Sequence, residues 1–358
     1  MSSFDQLTLL VFLKDRFAFT KRLCSYLQDI KYPFHVIFAD GSELSENEEY
    51  FRNECFSFNH EYVRYPVDKD IYAYARKAQS ASALVKTPYV MLCDNDDFPI
   101  VSGQRAAVDF MENNQDCVGC NGRIKGLIPY PDSSKPNGKH IFWKKYYSND
   151  MDFPVNLDQD SVVERITSWQ PFCCSIWYSI FKSEVLKQMY KDMDKMYLSD
   201  LGPMELFFSY FMLSKGKVSH INETTYIRQL GSSQAAASQG NSFFMRLFFK
   251  DWLGDIRKIM DYMQCSYPNE KMPTGQSFKD YLYYIFAKRS DNSYCIKFKS
   301  KSDLFKFALE RKIFLELFIL KFFPYIPDLV SRFSKFLNID FDPQEAKAIE
   351  NTIIDRAY

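Results

Sequence analysis

Three apolar runs in the first hundred residues each stop on a cluster of polar side chains, and this constrains the fold more than anything else in the chain. Leu7–Leu13, broken only by Thr8, stops at Lys14-Asp15-Arg16. Phe34–Ala39 stops at Asp40-Gly41-Ser42, and Tyr89–Cys93 stops at Asp94-Asn95-Asp96-Asp97. Short runs that are apolar on both faces are the pattern of strands buried on both sides, as in sheets covered by helices. Helical patterns fill the intervals. Phe17–Ile30 spaces Leu23, Cys24, Leu27 and Ile30 along one face. Glu43–Cys55 reads as an acidic helix, and Ile71–Val85 lines up Ala75, Ala78, Ala81 and Leu84. Tyr62–Tyr65 adds one more short strand. The alternation predicts an α/β fold, Rossmann-like, with a mainly parallel sheet in three layers. It also brings the polar clusters to one edge, outside the carboxyl ends of the strands, where open α/β sheets bind ligands.

The remainder reads differently. Asn113–Asp160 is rich in Pro, Asn, Asp and Gly and predicts loops with short strands. From Gln188 the pattern is largely helical, and from Ser242 it forms a C-terminal α-helical extension. Gly231–Gly240 has linker composition, which divides the chain into a unit at 1–235 and a helical unit at 236–358. Lys+Arg and Asp+Glu number 45 each, so no basic field draws the chain to nucleic acid. Nine Cys without regular spacing read as reduced thiols, and Cys117-Val-Gly-Cys120 has no second ligand pair for a zinc site. Leu7–Leu13 lacks the basic start and cleavage site of a signal peptide, and no apolar window reaches membrane-spanning length. The expected location is cytoplasmic.

Six Asp-x-Asp triplets occur, at Asp68/Asp70, Asp94/Asp96, Asp150/Asp152, Asp158/Asp160, Asp192/Asp194 and Asp340/Asp342. Only Asp94/Asp96 sits at the carboxyl end of a buried apolar strand. Three carboxylates within four residues repel one another unless a cation lies among them, and hard Mg²⁺ or Mn²⁺ suits such oxygen ligands. The other reading is a solvated acidic turn capping a helix that starts near Ser102. Asp40 likewise reads as a ligand-binding carboxylate or as a plain Asp-Gly turn.

Together these stretches resemble the nucleotide-binding half of GT-A fold glycosyltransferases, the inverting family 2-like enzymes, over roughly the first third of the chain. Phe12-Leu13-Lys14-Asp15-Arg16 falls where that family has Pro-Thr-x-Asn-Arg, with Arg16 matching. Ala39-Asp40-Gly41-Ser42 matches its Asp-Asp-Gly-Ser, and Cys93-Asp94-Asn95-Asp96-Asp97 its Leu-Asp-x-Asp-Asp. The resemblance implies a divalent metal on Asp94 and Asp96, and a donor nucleotide met by Asp15, Arg16, Asp40 and Asp94. Lys77, in Arg76-Lys77-Ala78-Gln79, falls near the donor diphosphate. The implied donor is a nucleotide-sugar, with UDP favoured. The implied acceptor is a saccharide or lipid-linked saccharide, in surface polysaccharide assembly.

Inverting transfer needs a base. Glu205 is the only charged residue in Leu201–Ser214, and it lies eleven residues before Gly216, the family's spacing for its Glu-Asp motif. A helix-dipole role is the competing reading, and Asp200 is the second candidate base. Arg228, beyond that helix, is either a diphosphate ligand or a surface Arg. Trp169-Gln170 either stacks on an acceptor sugar or is buried. The tail interleaves Phe with Lys and Arg at Phe243–Lys250 and Lys321–Phe323, which suits a membrane-surface contact, a packed helical unit or a homo-oligomer contact. A sugar nucleotidyltransferase and a non-catalytic scaffold are the rival functions. Phe12–Phe19 lacks the Gly-rich loop expected of the first.

Overall fold

The computed structural model describes residues 6–130, 136, 139–143, 156–169, 176–229, 252–270, 272 and 342–354. The chain begins β1 (Leu7–Leu13), α1 (Phe17–Asp29), β2 (His35–Asp40), α2 (Glu46–Asn53), β3 (His60–Arg64), α3 (Ile71–Ala83) and β4 (Tyr89–Asp94). It continues β5 (Phe98–Pro99), α4 (Val101–Asn113), β6 (Cys117–Tyr130), β7 (Lys139–Trp143) and α5 (Val162–Ser168). Then come β8 (Ile180–Lys182), α6 (Ser183–Met196), α7 (Leu201–Lys215) and β9 (Lys217–Gln229). The described helices end with α8 (Trp252–Ser266) and α9 (Pro343–Ile354).

The described strands form one mixed sheet in the order β3-β2-β1-β4-β8-β6-β9-β5, with β7 on β6. The longer ladders, β3-β2-β1-β4 and β6-β9, are parallel. Chain order runs outward from β1 to β2 and β3, then returns to place β4 on the other side of β1. The switch point therefore lies between the carboxyl ends of β1 and β4, where Phe12 pairs with Asp94.

Alternation along each strand makes the three layers. Leu10, Ile37, Val90 and Leu92 face a core shared with α3, α6, α7 and α8. Leu9, Val11, Val36, Phe38 and Met91 face the opposite core, shared with α1, α2 and α4. This two-sided burial is why the strands read as unbroken apolar runs. Ile256, Ile259 and Met263 of α8 join the first core, and Ile349 of α9 joins the second. The described helices beyond residue 236 thus pack on the sheet-bearing unit.

Two stretches differ from the sequence reading. Cys117–Tyr130, within a stretch expected as loops with short strands, is one 14-residue strand. Its Gly119, Gly122 and Gly126 imitate loop composition, but Gly122 permits a close approach: a Cβ there would meet the Glu223 carbonyl oxygen at 2.2 Å. Lys217–Gln229 interrupts the expected helical half as a 13-residue strand paired to β6, carried by Val218, Ile221, Thr224, Thr225 and Ile227. The acidic helix is also shorter than Glu43–Cys55, because the Glu43 and Leu44 amides donate to Asp15 Oδ1 at 2.9 and 3.3 Å instead of entering the helix. The Gly231–Gly240 linker, Gln170 and both Phe-rich tail segments lie outside the described residues. Among the described residues, no helix is long and apolar enough to cross a membrane.

Candidate functional site

The carboxyl edge of β4 gathers the acidic cluster. One oxygen each from Asp94, Asp96 and Asp97 lies within 4.8 Å of the others, and this is the one such His/Cys/Asp/Glu group among the described residues. Asp94 is partly exposed, while Asp96 and Asp97 are buried at 5% and 1% exposure. Burial and the repulsion of Asp96 raise the Asp94 pKa, against the pull of Arg228 and Arg16. Burial, then Asp96 and Asp94, push Asp97 higher still. Asp97 Oδ1 accepts the Gln229 amide at 2.8 Å, and its Oδ2 is buried without a hydrogen-bond partner.

Basic groups face the cluster from both sides. Arg16 NH2 lies 2.7 Å from Asp96 Oδ2. Asp15 and Arg16 both adopt the left-handed backbone, with φ of 53° and 57°. Such conformations are costly outside Gly and gather where structure is over-determined. Asp15 sustains its own: its amide donates to Ser42 Oγ at 2.6 Å, and its carboxylate holds the Glu43 and Leu44 amides. Asp15 therefore orders the loop after β2. Arg228, at the end of β9, lies over the Tyr178 ring at 5.2 Å and acts electrostatically on Asp94 and Asp97. Tyr178 donates to Asp94 Oδ2 at 3.2 Å and stacks on Tyr226, whose hydroxyl receives the Asp94 amide at 3.1 Å.

Arg22 is the contributor that sequence reasoning missed. Its guanidinium donates to the Asp96 carbonyl at 2.5 Å, to Gln229 Oε1 at 2.5 Å and to the Pro136 carbonyl at 2.6 Å. Burial lowers its pKa to about 10, against the attraction of Asp96 and Asp97. Arg22 so ties β9 to the acidic turn. The signal was present: an Arg beside Leu23 and Cys24 on a helix whose apolar face is buried must have partners. Glu345 on α9 completes the frame. Its carboxylate accepts the Val101 and Ser102 amides at 2.6 and 3.3 Å and the Ser102 hydroxyl at 3.0 Å, capping α4 just beyond Asp97.

The β2 side of the edge is built otherwise. Asp40 is fully buried, and both of its oxygens are engaged. Oδ1 accepts the Ser42 amide at 2.8 Å and the Ser42 hydroxyl; Oδ2 accepts Tyr62 at 2.6 Å and Arg64 at 2.8 Å. A ligand group reaching Asp40 would have to displace one of these four. Lys77, expected at the diphosphate, is instead buried in an ion pair with Asp68, and it also donates to the Leu13 carbonyl at 2.9 Å. Burial shifts both members toward their neutral forms, Lys77 down and Asp68 up, against their mutual attraction. Gly41 lies directly over this pair, and a Cβ there would meet the Asp68 carboxyl at 2.5 Å.

Asp200 is buried and is the N-cap of α7, accepting the Leu201 amide at 2.7 Å. Glu205 is exposed in the first turns of α7, which start at the same sheet edge. Trp169 is buried edge-on against Tyr210, which excludes a stacking face for an acceptor. Cys117 and Cys120 are buried free thiols of β6, outside the metal-capable group.

No protein-family model matches the chain, and no curated protein matches its sequence. Solved structures do. TarS 1-349 of S. aureus in complex with UDP-GlcNAc superposes over 97% of this chain and 91% of that one, at 14% identity and a TM-score of 0.51. TarS 1-349 on its own gives 0.49 over 97% and 89%, also at 14% identity. The longer TarS structure gives 0.47 at 13% identity, with 55% of that chain covered. At this identity the likeness concerns architecture, and the chain has the GT-A-type fold of TarS.

Proposed function

We propose that the protein is a glycosyltransferase that moves a sugar from a UDP-sugar to a saccharide or lipid-linked saccharide, with inversion, in surface polysaccharide assembly. The observation that carries this reading is the Asp94/Asp96/Asp97 cluster at the β1/β4 switch point of a GT-A-type sheet, faced by Arg16 and Arg228. TarS is in complex with UDP-GlcNAc, which makes that the first donor to try.

The donor set fits a hard divalent cation. All the groups are carboxylates, they crowd one another, and the Asp97 Oδ2 is buried without a hydrogen-bond partner. Asp94 and Asp96 would hold Mg²⁺ or Mn²⁺, which would supply positive charge beside a leaving diphosphate. The chain's own groups do the rest. Arg16 and Arg228 approach the same space as planar bidentate donors suited to phosphate oxygens. Tyr178 fixes the Asp94 carboxylate and Arg22 the Asp96 backbone carbonyl, so that charge is met without rearrangement. Glu205, exposed in the first turns of α7, takes the acceptor hydroxyl proton, while Asp200 holds the start of that helix.

Titrating UDP, ADP, GDP and CDP with and without Mn²⁺ tests the donor assignment. Tightest binding of UDP with Mn²⁺ present is expected, and failure of every nucleotide to bind would refute it. For the base, Glu205→Gln should lower turnover by roughly 10²–10⁴ with donor affinity unchanged. Turnover within a few-fold of the parent, with a cooler melt, would leave Glu205 a helix-dipole residue.

A further inference from the structure

Tyr197 is placed at a double cost. It ends α6 in the left-handed backbone, φ 49° and ψ 57°, where Gly or Asn is the usual choice. The residue is 67% exposed, more than any other large hydrophobic residue among those described. A non-Gly outlier that buries nothing points to use rather than stability. Its surroundings say which use. On one side an open groove of about 620 Å³ runs between α6 and α8, lined by Asp192, Lys195, Met196, Tyr197, Lys258 and Tyr262. On the other side a small hollow joins Tyr197 to Tyr72, Arg76 and Met204, the neighbour of Glu205. The Tyr72 and Tyr197 rings lie 6.0 Å apart. Tyr72 belongs to the first turn of α3, directly after β3, so both rings stand at the carboxyl edge of the sheet.

We propose that the α6–α8 groove, with Tyr197 on its rim and Tyr72 beyond it, binds a neutral saccharide acceptor beside the first turn of α7; this rests on the glycosyltransferase reading. A pyranose has an apolar C–H face that packs on an aromatic ring and a girdle of hydroxyls that needs donors and acceptors, and the groove offers both. Its charges balance. Lys195 pairs with Asp192 at 3.5 Å, and Lys258 pairs with Asp255 at 3.0 Å while donating to the Tyr197 carbonyl at 2.9 Å. No surplus of cations calls for a polyanion. Tyr262 donates to Asp192 at 2.8 Å, which fixes the far wall.

The test uses the full chain with cellotetraose, maltotetraose and chitotetraose as probes, read by saturation-transfer NMR and by titration. At least one probe should bind the parent and Tyr197→Phe, and bind Tyr197→Gly about tenfold more weakly. Tyr197→Gly should melt no lower than the parent, since Gly adopts this backbone freely, so lost binding cannot be put down to misfolding. Absence of binding by all three probes, or equal binding by Tyr197→Gly, overturns the proposal. So does self-association that Tyr197→Gly abolishes, which would make the groove a protein interface. UDP titrated into the same samples separates the two readings. UDP binding without a Tyr197 effect sinks the acceptor groove alone, and failure of UDP to bind sinks the donor reading.

Discussion

The two ends of the ligand edge handle charge in opposite ways. Beyond β2 and β3, each buried charge has a partner: Asp40 holds Arg64, Tyr62 and Ser42, and Asp68 holds Lys77. Beyond β4, three like charges share one small volume, and their near cation, Arg16, touches Asp96. A saturated carboxylate such as Asp40 sets shape, because moving it breaks bonds already made. A crowded one stores repulsion that a bound cation relieves. The first end thus reads as a mould and the second as a receptor.

Substitutions at Lys77 should break this contrast hardest. Lys77→Ala leaves Asp68 buried and uncompensated and is expected to cost about 3–5 kcal/mol, read from chemical denaturation. Replacing both partners, Asp68→Leu with Lys77→Met, should recover most of that loss, because burial already drives each toward its neutral form. A single replacement without effect would mean that the mould does not depend on the pair.

The receptor end should respond to cation. Asp94 and Asp97 have raised pKa values, so without metal their charge burial destabilises the fold. That penalty is absent below the ordinary carboxylate value of 3.8, grows as pH rises through the raised values and is complete above them. Mg²⁺ at a hundredfold excess over its Kd should add about 2.7 kcal/mol, with a larger rise in Tm at about pH 8 than at about pH 5. Asp96→Asn should remove the response and keep the fold. A gain independent of pH would place the ion elsewhere.

The smallest effect sharpens the boundary between the two ends. Gly41→Ala drives a methyl into the Asp68 carboxyl and should cost about 1–3 kcal/mol while leaving the Mg²⁺ response intact. Thermal scans with and without Mg²⁺ check both statements. A lost Mg²⁺ response would show that mould and receptor are coupled.

The parallel half of the sheet was legible because its strands are buried on both faces and end in clustered polar residues. Leu7–Leu13 matches residue for residue. The strands of the other half were not, since Gly-rich β6 has loop composition and β9 carries Lys217, His220, Glu223 and Arg228 among its apolar residues. The acidic turn was readable from its place after a strand. Pairings across long separations were not: Arg22 meets Gln229 at a distance of 207 residues, and nothing local in either segment announces the other. The Lys77–Asp68 pair was hidden for the same reason. The proximity of Lys77 to a family motif suggested a phosphate, whereas its partner Asp68 belongs to a triplet that composition alone treats as chance.

The Glu345 cap on α4 also bears on how the protein is made. Its two halves are 244 residues apart, which at about 5–20 residues per second corresponds to roughly 12–50 s of synthesis. The acidic turn and the first amides of α4 therefore leave the ribosome long before the carboxylate that satisfies them exists. Throughout that interval the amides depend on water, so the first turn of α4 gains its side-chain cap only late in synthesis.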